Sequence, residues 1–96
     1  MRFEDDGVEV VFHFGPLKSL KINRKYRYLE YGKWQVKFDE IKGYWKNYRF
    51  VGRKMVYYIV LLTSDKMAPI TPEMDEYDVN EVYTYLKKII PLEVKS

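Results

Sequence analysis

The sequence has no cysteine, which excludes disulfide staples, zinc–thiolate centres and thiol nucleophiles. It has one histidine, His13, with no serine or acid partner at a spacing that would make a triad. The five glycines, Gly7, Gly15, Gly32, Gly43 and Gly52, stand singly at turn positions, so no glycine-rich phosphate cradle exists. The longest uninterrupted apolar run, Met55 to Leu62, is far short of the ~20 residues that span a bilayer as a helix. The N-terminal Met1-Arg2-Phe3-Glu4-Asp5-Asp6 carries acids where a signal peptide has its apolar core. These absences lead to the expectation of a cytoplasmic chain, either free or held at the cytoplasmic face of a membrane.

What remains is rich in rings and unevenly charged. The 96 residues are 47% apolar and 18% aromatic, which fits one folded domain over residues 1–96 rather than a disordered segment. Ten tyrosines require many positions with an apolar bed for the ring and a polar partner for the hydroxyl. The formal charge of +3 is a sum of unlike segments: −3 over residues 1–17, +9 over 18–54 and −3 over 55–96. The field is therefore dipolar unless folding pairs the basic middle with the acidic ends.

Alternation of apolar and polar residues places short strands at Arg2–Glu4 and Val8–Phe14, with a further extended piece marked by Leu17, Leu20 and Ile22. Lys25–Tyr31 and Lys33–Ile41 read as arms of a hairpin around Gly32, with Asp39–Gly43 either continuing the second arm or bending it. Tyr44–Val51 is the next strand. Met55–Thr63 is apolar on both faces and is the best candidate for a central strand. Pro69 assigns Met67–Thr71 to a sheet edge. Short connections make the strands antiparallel.

One helix closes the chain, from Asp78 to Ile90 before Pro91. Val79, Val82, Tyr83, Leu86, Ile89 and Ile90 share one face of a 3.6-residue period. Asp78 is the expected cap, with Glu81 three residues on. The apolar face must lie on the strands upstream. The expected fold is α+β: six or seven antiparallel strands in a sandwich or partly open barrel with one C-terminal amphipathic helix.

Several strings in this order resemble the bacterial and archaeal pleckstrin-homology-like (PH-like) domains. They are Asp5-Asp6-Gly7-Val8-Glu9-Val10, Phe14-Gly15-Pro16-Leu17, Lys37-Phe38-Asp39-Glu40-Ile41-Lys42, the stretch from Tyr57 to Lys66 with Pro69-Ile70-Thr71, and the closing helix. The resemblance runs over nearly the whole chain. It implies a PH-like scaffold that binds lipid headgroups, peptides or other proteins, or assembles with itself, and it carries over no catalytic residue.

The acidic groups at Glu4 to Asp6, Asp39 with Glu40, and Glu73 to Asp78 read as turn and capping residues, the last lacking the spacing of a calcium loop. No catalytic residue, metal ligand or cofactor is expected. The remaining signal is basic-aromatic interleaving. Lys18, Lys21, Arg24, Lys25 and Arg27 alternate with Tyr26 and Tyr28, and Trp45, Arg49, Arg53 and Lys54 continue the pattern after Tyr44. Bases supply charge for anionic partners and rings supply stacking or interfacial anchors. The expectation is a non-enzymatic interaction module that binds a protein partner, itself or an anionic membrane surface. The alternative is a single-stranded nucleic-acid binder with Tyr26, Tyr28, Trp45 and Tyr48 as stacking platforms.

Overall fold

The computed structural model describes residues 1–91. Two antiparallel meanders follow one another. The first sheet has the order β1 (Arg2–Asp5), β2 (Glu9–Gly15), β3 (Lys18–Asn23), β4 (Tyr28–Tyr31) and β5 (Trp34–Lys37). A 3-10 turn at Phe38–Glu40 bends the chain out of β5. The second sheet has the order β6 (Ile41–Val51), β7 (Lys54–Thr63) and β8 (Met67–Pro69). The helix α1 (Glu76–Ile89) closes the described chain.

Among the described residues the strands number eight where the sequence predicts six or seven, and the two sheets do not close into a barrel. The short segments expected near Arg2–Glu4 and Met67–Thr71 both form, as edge strands. β1 pairs four residues with β2, and β8 pairs three with β7, because one neighbour suffices to hold a short strand. β7 is central, as its two apolar faces predict, and β8 with its Pro69 is an edge.

Alternation sorts the side chains. Val10 and Phe12 of β2, Leu20 and Ile22 of β3, Leu29 of β4 and Val36 of β5 are buried, while Lys33, Gln35 and Lys37 face water. Ile59 and Leu61 of β7 join the same core, with Val79, Val82 and Leu86 of α1. Phe3, Phe12 and Tyr85 extend it into an aromatic cluster, with Tyr85 5.0 Å from Phe3 and 5.6 Å from Phe12 between ring centroids.

The helix starts earlier than its periodicity suggests. Asp75, not Asp78, is the cap: its backbone is extended (ψ 169) and its carboxylate accepts the Asp78 N–H at 2.8 Å. Asp78 thus lies inside the first turn, where its own N–H needs an acceptor. Lys87 and Lys88 stand in the last turn, where the helix dipole favours cations.

Leu86→Ala removes a fully buried side chain from the junction of helix and sheets. The expected cost is about 3 kcal/mol, measured by urea unfolding with an unchanged dependence on denaturant. Asp75→Ala lowers stability in the same assay by more than Asp78→Ala does.

Candidate functional site

β6 and β7 form the longest pairing in the molecule, ten residue pairs from Ile41↔Thr63 to Val51↔Lys54. Their neighbours are shorter. β8 pairs only with Val60 to Leu62, and the last contact on that side is the bridge from Tyr57 to Met74, with bonds of 2.8 Å each way. Three pairs run on past Tyr48↔Tyr57, a projection of about 10 Å at the usual rise per residue. The loop is Gly52-Arg53, and Gly52 takes φ +62, which the first position of a type II′ hairpin turn demands and a side chain resists.

The projecting part is apolar without being covered. Tyr48 is 59% exposed, Phe50 62% and Val51 47%. Arg53 and Lys54 at the turn are exposed too. No acid occurs between Glu40 and Asp65, so the whole hairpin carries five bases and no carboxylate of its own.

Two of the predicted bases are neutralised by the acidic ends of the chain. Arg24 is paired with Asp5, Nη1 to Oδ1 at 2.8 Å and Nη2 to Oδ2 at 3.3 Å. Arg49 grips Glu73 through Nε and through Nη2, the latter at 3.1 Å from Oε1. The Arg24 guanidinium and the Gly7 N–H hold the Asp5 carboxyl below its usual range, and Arg49 does the same to Glu73. Both guanidinium groups are pushed up in return. The three charge segments of the sequence are therefore mixed by folding.

The other predicted bases are spread out. Lys21 is half-buried on β3, between Val11 of β2 and Glu30 of β4. Lys25 lies 5.4 Å from the Tyr26 ring, and Arg27, at a positive φ of 57, lies 5.3 Å from the Phe38 ring. Lys18 begins β3 at the opposite end of that strand and lines a crevice of about 530 Å³ with Tyr31, Arg49, Tyr58 and Glu73. Trp45 is half-buried, opposite Val60. The structure thus places Arg49, Arg53 and Lys54 on the hairpin and Arg24, Lys25 and Arg27 at the β3–β4 turn; Lys18 shares its crevice with Arg49, and Lys21 stands apart from both groups.

Phe50 and Val51 are the members of this surface that the basic-aromatic pattern does not single out. Their signal lies in lengths: arms of about ten residues meet at Gly52-Arg53, while the next strand has room for only three before Ile70. Tyr26, Tyr28, Trp45 and Tyr48 share no platform. Tyr26 lies in the β3–β4 turn and Tyr28 begins β4 of the five-stranded sheet, while Trp45 and Tyr48 lie on opposite faces of β6.

His13 Nε2 sits 3.1 Å from Glu4 Oε2 across the β1–β2 pair, which occupies its ring in a surface contact. Among the described residues no three metal-ligating side chains gather. No helix among them is long and apolar enough to cross a membrane. No protein-family model, curated protein or solved structure matches the chain.

The lowered carboxyls set a pH dependence. A carboxyl that ionises more readily in the folded chain adds stability that is complete above the ordinary carboxylate range and lost as pH falls through the lowered value. The thermal midpoint should fall as pH drops from about 6 to about 3. The fall should be shallower in a variant carrying Asp5→Asn and Glu73→Gln.

Proposed function

We propose that the chain is a non-enzymatic interaction module on a PH-like scaffold that docks on an anionic membrane surface through the tip of the β6–β7 hairpin. The scaffold reading is supported by the order of elements: two successive antiparallel meanders, then one closing helix. The docking reading rests on a single observation. Phe50 and Val51 project past the last β8-side contact beside Arg53 and Lys54, with no acid on the hairpin.

The physical logic is that of interfacial anchoring. Phe50 and Val51 lose exposed apolar area when they enter the boundary of headgroups and acyl chains. Arg53 and Lys54 meet lipid phosphates at the same depth, and a base near an anionic surface contributes about 1 kcal/mol. Arg49 adds little, because Glu73 holds it. Neither part suffices alone: the apolar tip is small, and charge without insertion is screened beyond about 8 Å at physiological salt.

The oligonucleotide reading draws less support, since its four rings share no face. Co-sedimentation with vesicles of phosphatidylcholine and phosphatidylserine, beside titration of a single-stranded oligonucleotide, tests the proposal. Binding to the anionic vesicles should weaken with salt and be absent on pure phosphatidylcholine. Reversing both Arg53 and Lys54 to Glu removes at least 2 kcal/mol, a loss of about 30-fold. Phe50→Asp should also abolish binding while leaving the unfolding midpoint nearly unchanged. Vesicle binding unaffected by these variants, or oligonucleotide binding in its place, overturns the proposal.

A further inference from the structure

The described residues have four edge strands, and three of them are short. β1 and β5 have four residues each, and β8 has three and ends at Pro69. Shortness and proline are common ways of blunting a sheet edge. β6 has eleven residues, and among the described residues no strand pairs along its outer side.

The backbone direction along β6 follows from its neighbour. Tyr57 exchanges both its bonds with Met74, and Ile59 gives its N–H to Thr71 Oγ1 at 3.1 Å and its carbonyl to Ile70 N–H at 2.9 Å. Both residues therefore turn their polar groups away from β6. Their cross-strand partners, Tyr48 and Lys46, must then turn N–H and C=O outward. The side chain of Asn47 bears this out: its Oδ1 accepts the Tyr48 N–H at 2.9 Å, which takes that donor from the open edge. By alternation Tyr44 and Phe50 face outward as well. Lys46, Tyr48 and Phe50 are exposed.

We infer that the outer edge of β6 accepts an extended acidic polypeptide segment as a fourth strand of the second sheet. A row of N–H and C=O groups at strand spacing recognises another peptide backbone, and lipid or nucleic acid has no matching ladder. Charge selects among peptides. β6 carries no acid, and of its three bases Glu73 holds Arg49, which leaves Lys42 and Lys46. Cross-strand neighbours of opposite sign stabilise pairing, and like charges oppose it. A second copy of β6 would set these lysines against lysines; a strand alternating glutamate with a β-branched residue meets Lys46 with a carboxylate. The inference does not rest on the membrane reading, since the edge runs along Tyr44 to Phe50 and the insertion surface is the tip beyond it.

The test is a titration of the whole chain with a synthetic peptide alternating glutamate and valine, acetylated and amidated at its ends, followed by amide exchange in NMR. The Lys46 and Phe50 amides should slow by at least about tenfold at saturation. A peptide with lysine in place of glutamate, or one N-methylated at alternate residues, should give no protection. Lys46→Pro removes an outward N–H without removing a bond to β7, and should abolish protection at Phe50. Unchanged exchange, equal protection by the lysine peptide, or full binding of the N-methylated peptide overturns the inference. Protection that rises with protein concentration in the absence of peptide does so too, since it assigns the edge to a second copy.

Discussion

The burial of Ile59 and Leu61 is the interaction on which the rest depends. Among the described residues β7 is the only strand of the second sheet with a partner on both sides, and its inward residues share one core with the first sheet and with Val79, Val82 and Leu86 of the helix. Helix and second sheet each have an apolar side that neither can cover alone. Their union fixes where β6 runs, because β6 is paired to β7 along ten positions. The hairpin can then extend past the core without support of its own, since its ladder is continuous with a buried one.

Hydrogen bonding at the helix ends tightens the same arrangement. The Tyr44 hydroxyl donates to the Ile90 carbonyl at the C-terminal end of α1, and Lys46 Nζ donates to Asn80 Oδ1 at 2.7 Å. Burial, and then the neighbouring Tyr83, push the Tyr44 hydroxyl above its ordinary value, so it remains a donor throughout the neutral range. At the other end Tyr57 reaches Glu76 at 3.3 Å. The even-numbered face of β6 is thus occupied by the helix as far as Lys46. Beyond that point the helix has ended, and Tyr48 and Phe50 on the same face meet water.

Much of the fold was legible in the sequence, for a physical reason. Met55–Thr63 is apolar on both faces, and a strand with that pattern must be central; the six-residue stripe from Val79 to Ile90 must be helical and inward. Turn and edge positions followed from Gly32, Gly52 and Pro69. The true cap escaped because Asp75 and Asp78 have equal capping chemistry, and only the path through Pro72 to Met74, bonded to Tyr57, decides between them. The site was less legible. Arg24 and Arg49 look as free as Arg53 in the chain, yet their partners Asp5 and Glu73 lie 19 and 24 residues away. Exposure of Phe50 was hidden for the opposite reason, since alternation marks which face a ring shares and says nothing of where the covering layer stops.

That last distinction separates stability from recognition in this molecule. Residues of β6 and β7 on the inward face at Tyr44, Ile59 and Leu61 are constrained by packing, where even one methylene is felt. Their continuations at Tyr48, Phe50 and Met55 obey the same alternation but lie past the end of the helix. Apolar area there gains nothing from the core, and an exposed aromatic strip beside a long open edge invites unwanted pairing. The hairpin bases other than Arg49, which Glu73 holds, oppose that pairing between copies while leaving the surface attractive to anything negative. One stretch of charge therefore serves two ends: it keeps the exposed strip from closing on itself, and it selects what the strip meets.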